Sequence, residues 1–311
     1  MADSPDYMND DEPVISLEIN GEAKAYPLGI LIMHEIVNDG LGGVPVTVSY
    51  CPLCNTAIVF DRRVNGQVLD FGTTGFLRKG DLIMWDRQTE SWWQQITGEA
   101  IVGELTGTKL KFIPAPVVSW VDFREAFPDG RVLSRDTGFA KDYDLPPYVG
   151  YDDEENVPFR YSGATDSRLL PLERVVGISI EGRDVAYPYK LLAEHPVIND
   201  SIDGQDLVIF YVGGTLSPFS GYANISRTPN RAVGSAAVYQ AFVDGQKLTF
   251  SVQGDSIVDE RTGSEWNVLG QAVDGPLKGS QLTPVVHGTH FWFAWAGFNP
   301  DTSVRTAEDV D

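Results

Sequence analysis

Hydrophobic positions along the chain occur in short runs that alternate with polar positions, and turn residues separate the runs. In the run VPVTVSY (44–50), every second side chain is apolar, which is the period of a β-strand. Apolar runs also flank Asn20-Gly21 and Asn65-Gly66, and Asn-Gly suits the type I′ turn of a hairpin. The pattern therefore predicts hairpins of short strands, with further strands near 81–86 and 109–113.

Helical patterns are confined to two short stretches in the first part of the chain. One covers about 28–37 and is opened by Pro27, and the other covers about 117–127 and ends before Pro128. The 31 glycines and 19 prolines indicate many turns. Because no strand–helix–strand rhythm is present, we predict an α+β fold with mainly antiparallel sheet.

A long stretch of the sequence occurs twice. Residues 14–50 and 175–211 align without a gap at a constant offset of 161, which places Ala25-Tyr26-Pro27 on Ala186-Tyr187-Pro188. The match resumes downstream, after a loop at about 213–235 that is inserted in the second copy. We therefore predict a tandem duplication of one α+β unit with short helices, in which a pseudo-twofold axis relates the two copies.

The repeat divides the chain into five predicted segments. They are a disordered acidic N-terminus (1–11), the N-terminal half (12–133), a Tyr- and Pro-rich connecting segment (134–174), the C-terminal half (175–306) and a tail (307–311). The connecting segment is too long for a simple turn and too aromatic for a solvated linker. We expect it to pack over both halves.

Two cysteines, the only ones in the chain, stand in the motif Cys51-Pro52-Leu53-Cys54, directly after the strand 44–50. The C-terminal half has Val212 and Thr215 at the corresponding positions. Two thiols at this spacing suit a soft-metal pair, a redox dithiol or a small local disulfide, and two inert buried cysteines are the structural alternative. A four-cysteine zinc site would need a second pair, so any metal must also recruit histidine or carboxylate.

The chain contains four histidines, and three of them are candidate metal ligands. His34 and His195 occupy matched helical positions, where a satisfied structural histidine is the alternative to a ligand. His34 is the nearest candidate partner of the cysteines, because its helix leads directly into the strand that carries Cys51. His287 and His290 have no counterpart in the N-terminal half and are further candidates. Thiolate with imidazole favours copper or zinc over calcium or magnesium.

Charge narrows the choice of partners. The chain carries 44 acidic and 23 basic residues, and its formal net charge is −21. Such a surface repels phosphate backbones and acidic lipid headgroups, so we expect no nucleic acid and instead an unknown small molecule or protein. No run of about eighteen apolar residues exists, so no membrane span is expected.

The excess of Asp over Glu and the scarcity of Lys are typical of proteins adapted to high salt, with an ordinary acidic protein as the alternative.

Four stretches of the chain resemble one protein family. They are AYPLGILIMHEIVND, VSYCPLCNTAIVFDR, DLIMWDRQTESWWQQITGEAIVG and THFWFAWAGFNPDT. They are similar to domain-of-unknown-function family 3179, in the form common in salt-loving archaea and some bacteria. Many of these proteins are exported or lipid-anchored, so the resemblance implies export, with a leader absent from a chain that begins MADSPDYMNDDEP. The resemblance implies no activity, but Cys-Pro-Leu-Cys is the family's most characteristic motif.

Three functions remain open from the sequence. The first is a metal or redox protein centred on Cys51 and Cys54. The second is a thiol–disulfide protein, although the element order lacks the context of thioredoxin-like folds. The third is a non-enzymatic binding or surface module with a local disulfide. The sequence contains no Gly-x-Ser-x-Gly, no His-Glu-x-x-His and no phosphate-binding glycine loop, so it leaves open whether the protein is an enzyme.

Overall fold

The computed structural model describes residues 5, 7–220 and 231–310. Within these residues the chain forms 27 β-strands, four α-helices and one 3-10 helix. The elements before residue 133 are β1 (Pro13–Ile19), β2 (Glu22–Pro27), α1 (Leu28–His34), β3 (Ile36–Leu41), β4 (Val44–Cys51), β5 (Thr56–Asp61), β6 (Arg63–Val64), β7 (Gln67–Val68), β8 (Phe71–Arg78), β9 (Asp81–Asp86), β10 (Trp92–Gln94), β11 (Glu99–Val102), β12 (Lys111–Ile113), β13 (Val117–Ser119), α2 (Trp120–Ala126) and β14 (Arg131–Val132). The elements after residue 173 are β15 (Arg174–Ile180), β16 (Arg183–Pro188), α3 (Tyr189–Glu194), β17 (Val197–Ile202), β18 (Gln205–Val212), β19 (Ser235–Gln240), β20 (Phe242–Val243), β21 (Gln246–Lys247), β22 (Phe250–Gln253), β23 (Ser256–Asp259), β24 (Glu265–Trp266), β25 (Ala272–Asp274), β26 (Gly288–Phe291), α4 (Trp292–Phe298), β27 (Ser303–Val304) and the 3-10 helix Ala307–Asp309.

The strands form several antiparallel sheets. The largest has the order β14-β2-β1-β13-β19-β18-β17, and three of the four-stranded sheets are β12-β5-β4-β3, β11-β10-β9-β8 and β22-β23-β24-β25. The fourth is β26-β15-β16-β27, and β6-β7 and β20-β21 are small hairpins. Among the described strands, only β14 with β2 and β16 with β27 pair in parallel. The predicted α+β class with mainly antiparallel sheet is confirmed.

The sheets join the N-terminal and C-terminal halves of the chain. In the largest sheet, β13 pairs with β19 through Val117 and Ala236. On the other side of the molecule, β26 lies against β5, and the Phe291 amide donates to the Cys54 carbonyl at 2.8 Å. Each half therefore contributes strands to a layer that contains strands of the other half.

The first helix is shorter than the sequence pattern predicts. It ends at His34, and Glu35 follows with a φ of 60°, in the left-handed region that non-glycine residues rarely adopt. Residues 36–41 then form β3 instead of a helical turn. Asn38 therefore does not cap a helix, because its side chain bonds the backbone of Phe71 at 2.8 and 3.0 Å. Backbone pairing of residues 36–41 with β4 therefore outweighs the local preference for helix.

The second predicted helix, 117–127, is also divided. Val117 and Val118 are β-branched and belong to β13, and the helix starts at Trp120. Ser119 caps it by accepting a hydrogen bond from the Asp122 amide at 3.1 Å. A strand that joins the two halves therefore occupies the first turn of the predicted helix.

The connecting segment 134–174 is held to the body by specific contacts. The Tyr151 hydroxyl donates to the Leu53 carbonyl at 2.9 Å. Asp152 forms a buried ion pair with Arg174 at 2.5 Å, and Arg174 lies at the start of β15. Contacts of this kind reach the cysteine turn on one side and the C-terminal half on the other.

Three predicted segments fall partly outside the described residues. These are the N-terminus, of which residues 1–4 and 6 are not described, the inserted loop, of which 221–230 are not described, and the tail, of which 311 is not described. Met8 is buried in a core cluster that contains Trp120 and Phe123. Among the described residues, no helix combines the length and the apolar character needed to cross a membrane.

Candidate functional site

The two cysteines lie in the tight turn between β4 and β5. Cys51 is the last residue of β4 and pairs with Thr56, the first residue of β5. Between them, the Asn55 amide donates to the Pro52 carbonyl at 3.3 Å, which folds Cys54 back towards Cys51. Both thiols are free, and their exposed fractions are 1% and 0%. The local disulfide considered from the sequence is therefore not formed.

Asp81 is the third member of the group. It begins β9, directly after the turn Lys79-Gly80, and it is fully buried. The Cys54 thiol donates to Asp81 Oδ1 at 3.0 Å. The two sulfurs and a carboxylate oxygen of Asp81 all lie within 4.8 Å of one another. Among the described residues, this is the only group of three histidine, cysteine or acidic side chains placed to share a metal ion.

Hydrogen bonds fix the carboxylate of Asp81 in one orientation. Its Oδ2 accepts from the Ile96 amide at 2.9 Å and from Gln94 Nε2 at 2.5 Å. Gln94 is itself fully buried, so this donor cannot swing away into solvent. Oδ1 remains directed at Cys54, which is the arrangement expected of a ligand oriented by its neighbours.

Burial determines the ionisation of the group. It raises the pKa of Asp81 to about 6, even though the hydrogen bonds from Cys54, Ile96 and Gln94 oppose the change. Burial also raises the pKa of the Cys54 thiol well above its ordinary value, and the neighbouring Cys51 adds to the effect. Without a cation, the protein therefore favours the neutral thiol of Cys54. A bound cation would reverse that preference.

A second carboxylate faces the same region. Burial raises the pKa of Glu35, and the negative charge of Asp81 raises it further. Glu35 is held at the junction of α1 and β3, where its amide donates to the Leu31 carbonyl at 2.7 Å and its carbonyl accepts from the Tyr50 amide at 2.8 Å. Its left-handed backbone is the kind of local strain that is concentrated at functional sites.

His34 lies on the side of α1 that meets the connecting segment. Its Nε2 forms a 2.7 Å hydrogen bond with the Tyr143 hydroxyl, and its ring lies 5.4 Å from that of Phe139. Burial lowers the pKa of His34, and the charge of Lys141 lowers it further. Within the described residues, the side chain that the fold brings to the cysteines is Asp81, and whether His34 contributes a ligand stays a prediction.

His290 lies one hydrogen bond away from the cysteine turn. Its Nδ1 bonds the Thr56 hydroxyl at 2.9 Å, and that hydroxyl is 3.3 Å from the Cys54 carbonyl. Its ring is stacked on Trp295 with centroids 5.1 Å apart. Burial lowers its pKa to about 3, so the imidazole is neutral. His290 thus supports the backbone of the turn from the C-terminal half.

His287 is buried in a different environment. Its Nδ1 contacts the Val285 carbonyl at 2.7 Å. Its Nε2 has no hydrogen-bond partner among the described residues. Burial lowers the pKa of this imidazole as well. As for His34, its role as a metal ligand stays a prediction.

Comparison with known proteins identifies the family. A family model described as a protein of unknown function, DUF3179, matches residues 1–302. The chain belongs to this family. No curated protein and no solved structure matches the chain. The predicted resemblance is confirmed, and the functional argument for this DUF3179 protein therefore rests on the geometry of its own site.

The sequence did not single out Asp81. A carboxylate leaves no local signature among 44 acidic residues. One signal was available, because Asp81 opens an apolar strand, and all but one of the six residues of DLIMWD are buried. A charged residue at a buried strand position requires a partner, and here that partner is a thiol.

Proposed function

We propose that this DUF3179 protein binds a transition-metal ion, zinc or copper, through Cys51, Cys54 and Asp81. The observation that carries the proposal is the convergence of two thiols and a carboxylate within 4.8 Å, in a core where all three are buried. Ionisable groups are seldom buried together unless a partner compensates their charge. A metal ion would supply that compensation.

The ligand chemistry favours zinc. Zinc takes cysteine sulfur at about 2.3 Å and carboxylate oxygen at about 2.0–2.2 Å, and such bonds can be made by atoms already within 4.8 Å of one another. Calcium and magnesium prefer sets made entirely of oxygen. Copper(I) prefers soft ligands and would be satisfied by the two thiolates, leaving the carboxylate without a role. The oriented Asp81 carboxylate therefore supports zinc over copper.

Three protein ligands leave one position open. Catalytic zinc sites keep such a position for water or substrate, whereas structural sites are closed by a fourth residue. A fourth ligand would come from one of four side chains, which are Glu35 and the predicted ligands His34, His287 and His290. Among them, Glu35 lies near enough for the charge of Asp81 to raise its pKa.

A comparison within the chain supports a specialised role for the site. We propose that the two halves are copies of one unit related by a pseudo-twofold axis. The hairpins β1–β2 and β15–β16 pair in the same pattern, with Val14 opposite Pro27 and Val175 opposite Pro188. The two thiols and Asp81 belong to the N-terminal half alone, so the shared architecture does not depend on them.

A dithiol function is the second candidate. The 3.0 Å contact between the Cys54 thiol and the buried Asp81 carboxylate would let Asp81 accept the thiol proton. Attack of the resulting Cys54 thiolate on a disulfide substrate would release one thiolate of that substrate. Cys51 would then attack Cys54 in the resulting mixed disulfide, its proton passing to the departing second thiolate of the substrate, and the Cys51–Cys54 disulfide would close. The near-complete burial of both sulfurs disfavours this exchange with a large partner.

Elemental analysis of the protein purified without chelator tests the metal proposal. We expect about one zinc or copper ion per chain, which a chelator removes. Replacement by cobalt should produce thiolate-to-cobalt absorption, which requires sulfur ligation. Protein that contains no metal, gains none on reconstitution and reversibly forms a Cys51–Cys54 disulfide would support the dithiol function instead.

A further inference from the structure

A groove of about 640 Å³ lies on the outer side of the turn that positions Asp81. Its walls are the β8–β9 turn, the stretch 160–166 of the connecting segment, and α4 with Pro300. Gly80 lines the groove, and its carbonyl lies 4.0 Å from the sulfur of Cys51. The groove is therefore separated from the buried cysteines by a single turn of backbone.

The charge of the groove is opposite to that of the whole protein. Lys79 and Arg160 line it and are exposed. Lys79 Nζ is held over the groove by the Gly297 carbonyl at 2.5 Å, and neither side chain forms an ion pair with a carboxylate in the described part of the chain. The one acidic residue of the lining, Asp166, is neutralised by Arg168 at 2.7 Å. In a chain of net charge −21, this leaves a local positive site.

Backbone and ring surfaces complete the groove. Residues 162–165 are exposed and line the same groove, and within the described part of the chain their amides donate no hydrogen bond. The ring of Tyr161 forms an apolar wall, and it is backed by the buried ring of Phe293 with the two centroids 5.0 Å apart. Gly80 packs closely against the ring of Phe293, since a Cβ added at Gly80 would lie only 2.5 Å from that ring. The β8–β9 turn therefore contacts Phe293 directly.

We propose that this groove binds a small organic anion, whose carboxylate or phosphate group contacts Lys79 and Arg160 while its apolar body lies against Tyr161. Polar groups that converge at one end of a partly apolar cleft are typical of small-molecule sites. The proposal does not require a metal, because none of these contacts involves Cys51, Cys54 or Asp81. The adjacency to the cysteines places a bound anion next to the proposed metal ion.

Isothermal titration of the full chain with three ring compounds tests the groove. Benzoate and phenyl phosphate carry the two candidate oxyanions, and benzamide is a neutral control of the same shape. We expect benzoate or phenyl phosphate to bind at least tenfold more tightly than benzamide at constant ionic strength. The stronger of the two identifies the head group. Equal affinity for all three compounds, or no binding by either anion, would overturn the proposal.

Variants assign the binding to the groove. Arg160→Gln and Lys79→Gln should each weaken binding at least tenfold, whereas Lys111→Gln, an exposed lysine on β12 outside the lining, should leave it unchanged. Unchanged thermal unfolding of the variants without ligand establishes that they are folded. The Cys51→Ser/Cys54→Ser protein should still bind the anion, which keeps this test separate from the metal proposal. Equal loss in all three charge variants would show non-specific attraction and refute the groove.

Discussion

The turn after β4 and the stretch after β18, which the proposed repeat aligns with each other, use different chemistry. After β4, Cys51 and Cys54 meet Asp81. After β18, Thr215 is buried, and its hydroxyl contacts that of Ser235 at 2.5 Å. The second arrangement satisfies its polar atoms with neutral groups. The first buries three groups that ionise, which costs free energy unless a partner compensates. The proposed metal ion would be such a partner.

The hairpins β8–β9 and β22–β23, which follow these two stretches, differ in length. Strands β8 and β9 contain eight and six residues, whereas β22 and β23 contain four each. The longer hairpin carries Lys79, Gly80 and Asp81, which line the groove or lie at the cysteine site. Both proposed sites therefore involve a hairpin in which the N-terminal half differs from the C-terminal half.

Loss of both thiols is the sharpest test of that contrast. In Cys51→Ser/Cys54→Ser, we expect metal content to fall by at least 90% as measured by elemental analysis, since hydroxyls are poor ligands for zinc and copper. The fold should persist, because the C-terminal half forms the same strand pairs without cysteine. Thr215→Ser is the matched control and should keep the metal. A double variant that retains the metal would remove the basis of the comparison.

Asp81→Asn should have the next largest effect. The change keeps the size of the side chain and removes the charge that binds the ion. We expect the zinc affinity to fall by about 10- to 100-fold in a chelator competition assay. Asp255→Asn, at an exposed turn position of the shorter hairpin, should leave the affinity unchanged. An affinity unchanged in Asp81→Asn would mean that the carboxylate is not a ligand.

A matched pair of buried aspartates tests how far the two halves agree. Asp86 accepts a hydrogen bond from the Trp93 indole at 2.9 Å, and Asp259 accepts one from Trp266 at 3.2 Å. Each also binds a threonine three residues further on. Asp86→Asn and Asp259→Asn should therefore each lower the free energy of unfolding by about 1–3 kcal/mol. Urea denaturation at neutral pH measures both. A large effect in one half alone would break the structural correspondence.

The smallest expected effect is the pH dependence of the Asp259 variant. Burial acts to raise the pKa of Asp259, but hydrogen bonds from Thr262, Trp266 and Ser264 outweigh it, and the net pKa is lowered. A carboxylate with a depressed pKa stabilises the fold above its unfolded pKa, near 3.8, and loses that contribution as the pH falls through the folded value. The stability difference between wild type and Asp259→Asn should therefore narrow below about pH 4. A difference that is constant from pH 7 to pH 3 would contradict this assignment.

Local sequence patterns predicted much of the fold. The alternating runs and Asn-Gly turns gave the hairpins β1–β2 and β6–β7 and the mainly antiparallel class. The helix limits were less accurate. At 36–41 and 117–119 the chain forms strands, because pairing with β4 and β19 supplies backbone hydrogen bonds that no local pattern encodes.

The candidate site shows the same division. The sequence by itself determined that Cys51 and Cys54 lie together, since two residues and a proline between them force a turn. It also restricted the metal to the soft and borderline ions. Only the tertiary structure brought Asp81 to the thiols, because Asp81 follows Cys54 by 27 residues along the chain and meets it through a long-range contact. The sequence determines what is close along the chain, and long-range packing decides which of 44 carboxylates reaches the sulfur.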